Sequence, residues 1–164
     1  GAATGAAAGA RVGSEGTKTE LAVLGGFMGA LTGGFIGHYA YDKKRGEQET
    51  INKYNYRHGG LRVNIEEAQA IPKKVEPGGT VDIAMAYALL GADHDTPVTE
   101  VRDIRHNGKV YSRPEIRIYR GTGTYSSIVP IRLPLDAKKG KYTVIASVKA
   151  GKVKHSRETS FYIR

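Results

Sequence analysis

Two periods divide this chain. Before Tyr41 small and apolar residues recur every four positions, and from Leu61 onward apolar and polar residues alternate every second one. The alternation predicts strands. In "VDIAMAYALL", Val81, Ile83, Met85, Tyr87 and Leu89 share one face, with Asp82 and three alanines opposite, which predicts a central strand with one face on a core. "KYTVIASVKA" puts Tyr142, Val144, Ala146 and Val148 inward, and Lys141, Thr143, Ser147 and Lys149 outward. "SSIVPIRLPL" aligns Val129, Ile131, Leu133 and Leu135; "LRVNIEE" offers Leu61, Val63 and Ile65; "SFYIR" ends on Phe161 and Ile163.

Turn chemistry separates these runs. Pro77-Gly78-Gly79 precedes one strand, and Asn107-Gly108 joins "EVRDIRH" to "KVYS" as a two-residue hairpin. Pro114 and Pro130 interrupt strand-like runs and predict edges or bulges, because proline donates nothing to a ladder. About seven short strands at this spacing predict an immunoglobulin-like β-sandwich of ~100 residues over 61–164. In "DAKKGKYTV" a tyrosine opens a strand after an Asp and a glycine turn, so Tyr142 is the candidate tyrosine corner.

The period of four is carried by glycine. Gly1, Gly5, Gly9 and Gly13 form one run, and Gly25, Gly29, Gly33 and Gly37 a second, with "SEGTKTE" between them. Glycine costs about 1 kcal/mol relative to alanine in a helix in water. Packed backbone to backbone in lipid, such a face becomes useful. Leu21 to Tyr41 contains no Asp, Glu, Lys or Arg, and as a helix it would rise about 31 Å, the thickness of a bilayer core. Thr17 and Glu20 make a capping-box pattern at its start. His38, Tyr39 and Tyr41, then Lys43, Lys44 and Arg45, read as interfacial anchors at its end. Residues 1–45 are therefore expected as a membrane-type helical hairpin, 46–60 as a linker, and the whole as α+β in two parts.

The segments "GAATGAAAGA" and "LGGFMGALTGGFIGHY", with the polar loop between them, resemble the bacterial glycine-zipper outer-membrane lipoproteins of the Rickettsia surface-antigen and SlyB type. The resemblance implies a membrane segment that oligomerises, in a cell envelope, with outer membrane and periplasm as the compartments. The stretch "LPLDAKKGKYTV" is similar to a run common in bacterial extracytoplasmic Ig-like modules.

Charge adds a second reading. Residues 100–164 carry 15 Lys/Arg against 5 Asp/Glu, while residues 1–99 carry 10 against 11, so the net charge of +9 resides in the last 65 residues. Arg113, Arg117 and Arg120, with Lys138, Lys139 and Lys141, are candidates for holding an anionic polymer or an acidic partner protein. No nucleic-acid motif accompanies them. The five histidines are scattered, with no HExxH motif, and the glycine runs lack the Lys-Ser/Thr of a P-loop. "ADHDTP" reads as a polar turn, and the chain has no cysteine. The expectation is a structural, non-enzymatic envelope protein without cofactor or metal, binding copies of itself and membrane lipid, with other envelope proteins as further partners. A membrane-anchored binder of anionic polymer and a subunit of an extracellular assembly are the alternatives.

Overall fold

The computed structural model describes residues 35–36 and 40–164. Among these described residues, eleven strands and one short helix follow each other as β1 (Phe35–Ile36), β2 (Ala40–Arg45), α1 (Glu47–Tyr54), β3 (Arg62–Ile71), β4 (Lys74–Val75), β5 (Thr80–Leu90), β6 (Thr96–His106), β7 (Lys109–Ser112), β8 (Glu115–Arg120), β9 (Gly123–Arg132), β10 (Gly140–Ala150) and β11 (Val153–Ile163). They form two sheets. The first runs β1-β9-β5-β3, with β2 continuing the edge beside β9; the second runs β4-β11-β10-β6-β7, with β8 also on β6. β3, β5 and β9 occupy the places of strands A, B and E of an immunoglobulin-like sandwich, and β6, β10 and β11 those of C, F and G.

The alternation explains the core. Val81, Ile83, Met85, Tyr87 and Leu89 of β5 face Val144, Ala146, Val148 and Phe161 of the other sheet, all buried. Ala86 and Ala88, on the opposite face of β5, are buried too, because α1 lies against β5 and β9 there. Only small residues leave room for it. The helix suits its charges, with Glu47 and Glu49 in its first turn and Lys53 in its last, and it stops at Asn55 in the left-handed region.

Asn107 and Gly108 have φ of 52° and 77°, the pair of positive values a two-residue hairpin turn requires. Pro130 lies opposite the interval between β1 and β2, since Ile131 pairs with Ile36 and Ile128 with Ala40. Leu135 departs from its expected face: β9 ends at Arg132, and Leu135 stands 86% exposed.

The α+β class expected from the sequence is overturned. Strand makes up 65% of residues 41–164 and the only helix among them is α1. Phe35–Ile36 and Ala40–Arg45, expected to finish a membrane helix and its basic anchor, are strands registered against β9. The reason is side-chain alternation: Tyr41 turns toward the sandwich, with the Arg120 guanidinium 5.0 Å from its ring centre, while Asp42 and Lys44 stay exposed. Backbone pairing with β9 then satisfies groups that a helix would have paired internally. Gly1, Gly5, Gly9, Gly13, Gly25, Gly29, Gly33, Gly37, His38 and Tyr39 lie outside the described residues.

Tyr142 opens the central pairing of β10, its Oη donating to Lys138 O at 2.7 Å while its ring stacks on Phe161 and His106. Tyr142→Phe keeps the rings and removes one hydrogen bond. It should cost about 1 kcal/mol, read as a lower urea midpoint at constant slope; an unmoved midpoint would show that the hydroxyl holds nothing.

Candidate functional site

Two polar clusters tie the segment that follows the glycine runs to the sandwich. The first is buried. β6 turns Val98, Glu100, Arg102 and Ile104 inward, so a carboxylate and a guanidinium enter the core in phase with apolar neighbours. Arg102 donates from Nε to Ile83 O (3.0 Å), from Nη2 to Ser127 O and Oγ (3.0 and 2.7 Å), and from Nη1 to Glu100 Oε1 (3.2 Å). Glu100 also accepts from Ser127 Oγ and Tyr87 Oη, both at 2.7 Å. Arg120, the last residue of β8, brings Nη2 to 3.7 Å from Glu100 Oε2. Its guanidinium stands 4.3 Å from the ring centre of Tyr125 and 5.0 Å from that of Tyr41. Burial pushes the Glu100 carboxyl up, but Arg102, Arg120 and the two hydroxyls outweigh it and hold the group below the ordinary carboxylate range.

The second cluster surrounds a bulge. The β3–β5 register shifts between Ile65 and Glu67, which re-aims Glu66. A matching shift between Lys43 and Arg45 turns Arg45 to the face where it meets Thr124 and Glu66. Arg45 Nη1 donates to both Glu66 oxygens, at 3.1 and 2.9 Å, and to Thr124 Oγ1 at 3.2 Å. Tyr54 of α1 donates its hydroxyl to Glu66, and Asn64 supports Tyr54 at 2.9 Å. Burial raises the Glu66 carboxyl, and the bonds from Tyr54 and Arg45 pull it to a net value below normal. His155 Nδ1 accepts from Ile65 N at 2.8 Å and Arg157 donates to the carbonyls of Ile65 and Glu66, so β11 clasps the bulge from its other side. Lys53, His155 and Arg157 rim a cleft of about 620 Å³ beside it.

The proposed anion-binding residues do not converge. Arg120 is 4% exposed inside the first cluster. Arg113 and Arg117 sit on the outer surface and share Glu115, each at 3.2 Å. Strand register aligns Arg117 with Thr99, Lys149 and Lys154 in a row across that face. Lys138, Lys139 and Lys141 are at one end of the sandwich, around the connection from β9 to β10. There His106, Tyr111 and Tyr142 line a cleft of about 310 Å³ with Lys109, Pro134 and Lys138. Burial, with Tyr142 and Asp136 nearby, pushes the Tyr111 phenol up to about 12. Of the expected anchors, Tyr41 and Arg45 are engaged in the two clusters, while Lys43 and Lys44 are exposed.

Asp93 accepts from Asp95 N and Thr96 Oγ1, closing the "ADHDTP" turn. Among the described residues no three His, Asp or Glu side chains group as metal ligands, and no helix is long and apolar enough to cross a membrane. No sequence motif singles out Glu100 and Arg102. Their signal was there: both fall in phase with Val98 and Ile104.

A family described as a glycine zipper, of the Omp type, matches residues 1–45, which points to membrane association in a cell envelope. The match runs through β1 and β2 into the sandwich. No curated protein matches this chain. Among solved structures, it is similar to a family 123 glycoside hydrolase from Clostridium perfringens, at 12% identity and a TM-score of 0.43, over 79% of this chain and 27% of that enzyme. It is also similar to an immunoglobulin-like protein from Pseudomonas aeruginosa (19% identity, 65% of this chain and 94% of that one, TM-score 0.36). A conjugative transposon lipoprotein from Bacteroides eggerthii aligns at 18% identity over 63% of this chain and 98% of its own, with a TM-score of 0.38. The chain spans about a quarter of the Clostridium enzyme, and at these identities the likenesses say nothing about function.

Because its folded value is depressed, Glu100 contributes its full stability above the unfolded carboxylate value of about 4.3 and loses it as pH falls through the lower folded one. Glu66 acts with the same sign. Stability should therefore drop as the medium is acidified below about pH 4. Glu100→Gln should flatten part of that drop and cost about 3–5 kcal/mol at neutral pH, by leaving two buried guanidiniums uncompensated. Full stability of this variant at neutral pH would refute the network's importance.

Tyr41→Ala removes one ring from Arg120. Release of β2 should then speed trypsin cleavage after Lys43 and Lys44 by about thirtyfold, the equivalent of one desolvated cation–π contact of about 2 kcal/mol. Digestion at the native rate would mean that this ring does not hold the strand.

Proposed function

We propose that this chain is a structural protein of a bacterial cell envelope, in which the glycine-zipper segment associates with membrane and with copies of itself. The sandwich serves as its interaction module and performs no catalysis. The reading extends to the outer membrane, with the sandwich on the periplasmic side, through the resemblance of the zipper to envelope lipoproteins.

One observation carries it. The segment that continues the glycine runs is built into the sandwich as a sheet edge, through β1 and β2 on β9 and through Tyr41 and Arg45 in two polar clusters. A tether needs no such integration. An assembly segment does, because a position imposed on β1 and β2 is passed to the sandwich through their pairing with β9. The glycine register supplies the close-approach face, and the family match to residues 1–45 supports its membrane character.

The test is the native mass of the full chain extracted in detergent, beside Gly29→Leu/Gly33→Leu. Leucine at these positions blocks close approach. The native chain should run as a multimer and the variant as a monomer, with an unchanged unfolding midpoint for the sandwich. An equal mass for both would refute assembly through the zipper. These substitutions are a cleaner probe than a chain starting at Leu61, which would strip β1, β2 and α1 from β9.

A further inference from the structure

The described chain begins at the end of the sandwich that carries its most protruding apolar side chain. Phe35 is registered against Arg132, the last residue of β9. The start of β1 therefore lies beside the connection formed by residues 133–139. Leu135 stands on that connection, 86% exposed. It is not a loose loop: Leu133 N donates to Gly79 O (2.8 Å), Gly78 N to Pro134 O (3.1 Å), and Ala137 N to Pro134 O (3.1 Å). These bonds hold the loop in a form that keeps Leu135 out of the core.

Its neighbours are cationic. Lys138 and Lys139 follow on the same connection, Lys141 is the second residue of β10, and Lys109 opens β7 next to Val110, which is 54% exposed. The β6–β7 hairpin and this connection converge on one cleft, bringing Lys109 and Lys138 to its two sides. Asp136 and Glu76 are the exposed carboxylates nearby in the chain, and the four lysines outnumber them. At the opposite end the exposed turn carries Asp93, His94 and Asp95 instead.

We propose that this end of the sandwich docks on an anionic lipid surface. Leu135 and Val110 enter the boundary between headgroups and acyl chains, and Lys109, Lys138, Lys139 and Lys141 lie on lipid phosphates. An apolar tip ringed by ammonium groups has the composition that interfacial binding requires. A second copy is a poor occupant, since it would set lysines against lysines. The order of the chain decides for lipid, because β1, which follows the membrane-type glycine segment directly in sequence, starts at this same end. The inference rests on the membrane association proposed above. It adds an orientation: the corner beside Tyr142 faces the bilayer, and the "ADHDTP" turn faces away.

The chain has no cysteine, so a single Leu135→Cys or His94→Cys carries one environment-sensitive fluorophore. Each full-length labelled chain is reconstituted into vesicles of phosphatidylcholine with or without phosphatidylglycerol, and quenching by spin-labelled lipid is read after flotation. Both chains should float. The label at 135 should shift to the blue and be quenched in the anionic vesicles, with neither effect at 94. Each lysine near an anionic surface is worth about fivefold, so Lys138→Gln/Lys139→Gln/Lys141→Gln should weaken the contact on the order of a hundredfold and abolish quenching at 135. Flotation without quenching at 135, or with equal quenching at 94, would overturn the docking while leaving membrane association standing. A protein partner for this end would give that same unquenched result. Failure to float would remove both.

Discussion

A carboxylate and two guanidiniums sit where the two sheets meet, and the rest of the molecule is arranged around satisfying them. Arg102 and Glu100 enter from β6, Arg120 from β8, and their partners come from β5, β9 and β2. Charges in a low-dielectric interior are stable only with their hydrogen bonds complete, and a half-completed network is worse than an apolar core. Arg102 reaches the carbonyls of Ile83 and Ser127 only when β5 and β9 hold their observed register. An apolar core alone tolerates small slips of one sheet over another. This one sets a definite position, and the same condition draws in Tyr41, because its ring closes over Arg120 together with that of Tyr125.

Tyr41 makes the consequence reach beyond the sandwich. The strand that carries it continues directly from the glycine runs, so the sheet edge and the zipper segment are one stretch of chain. Arg45 repeats the attachment on the other face, through a pair of bulges and the carboxylate of Glu66. Helix α1 then covers the outer side of β5 and β9, and Thr50 meets Thr124 there at 2.9 Å. Between them, these contacts make the first strands a structural part of the module rather than a leash for it.

The two ends of the sandwich consequently differ. One holds the start of β1 and carries Leu135, the lysines and the stacked rings of His106, Tyr142 and Phe161. The other carries α1 and the acidic turn after β5. The sandwich therefore offers two chemically different end surfaces, one apolar and cationic and the other acidic. The row of Arg117, Lys149 and Lys154 lies on the side wall between the two ends, on the outer surface of the six-stranded sheet.

Much of the sandwich was legible along the chain. Alternation at β5, β10 and β11, the Asn107-Gly108 turn and Tyr142 after its glycine turn each depend on local chemistry, and local chemistry is written in order. Residues 40–45 were misread because "AYDKKR" satisfies two rules equally, an aromatic-and-basic membrane anchor and an edge strand; the choice is made by β9, some eighty residues away. Arg120 looked like a surface cation beside Arg117, yet its strand phase points it inward, where Glu100, Tyr41 and Tyr125 accept it. Leu135 looked like core because it keeps the phase of Val129, Ile131 and Leu133, but β9 ends before it. The amino-acid order by itself thus determined a β-sandwich with a glycine-zipper segment ahead of it. Only the tertiary structure decided that the two are joined through a shared sheet edge, because long-range backbone pairing and the neutralisation of buried charge depend on partners that no local pattern names.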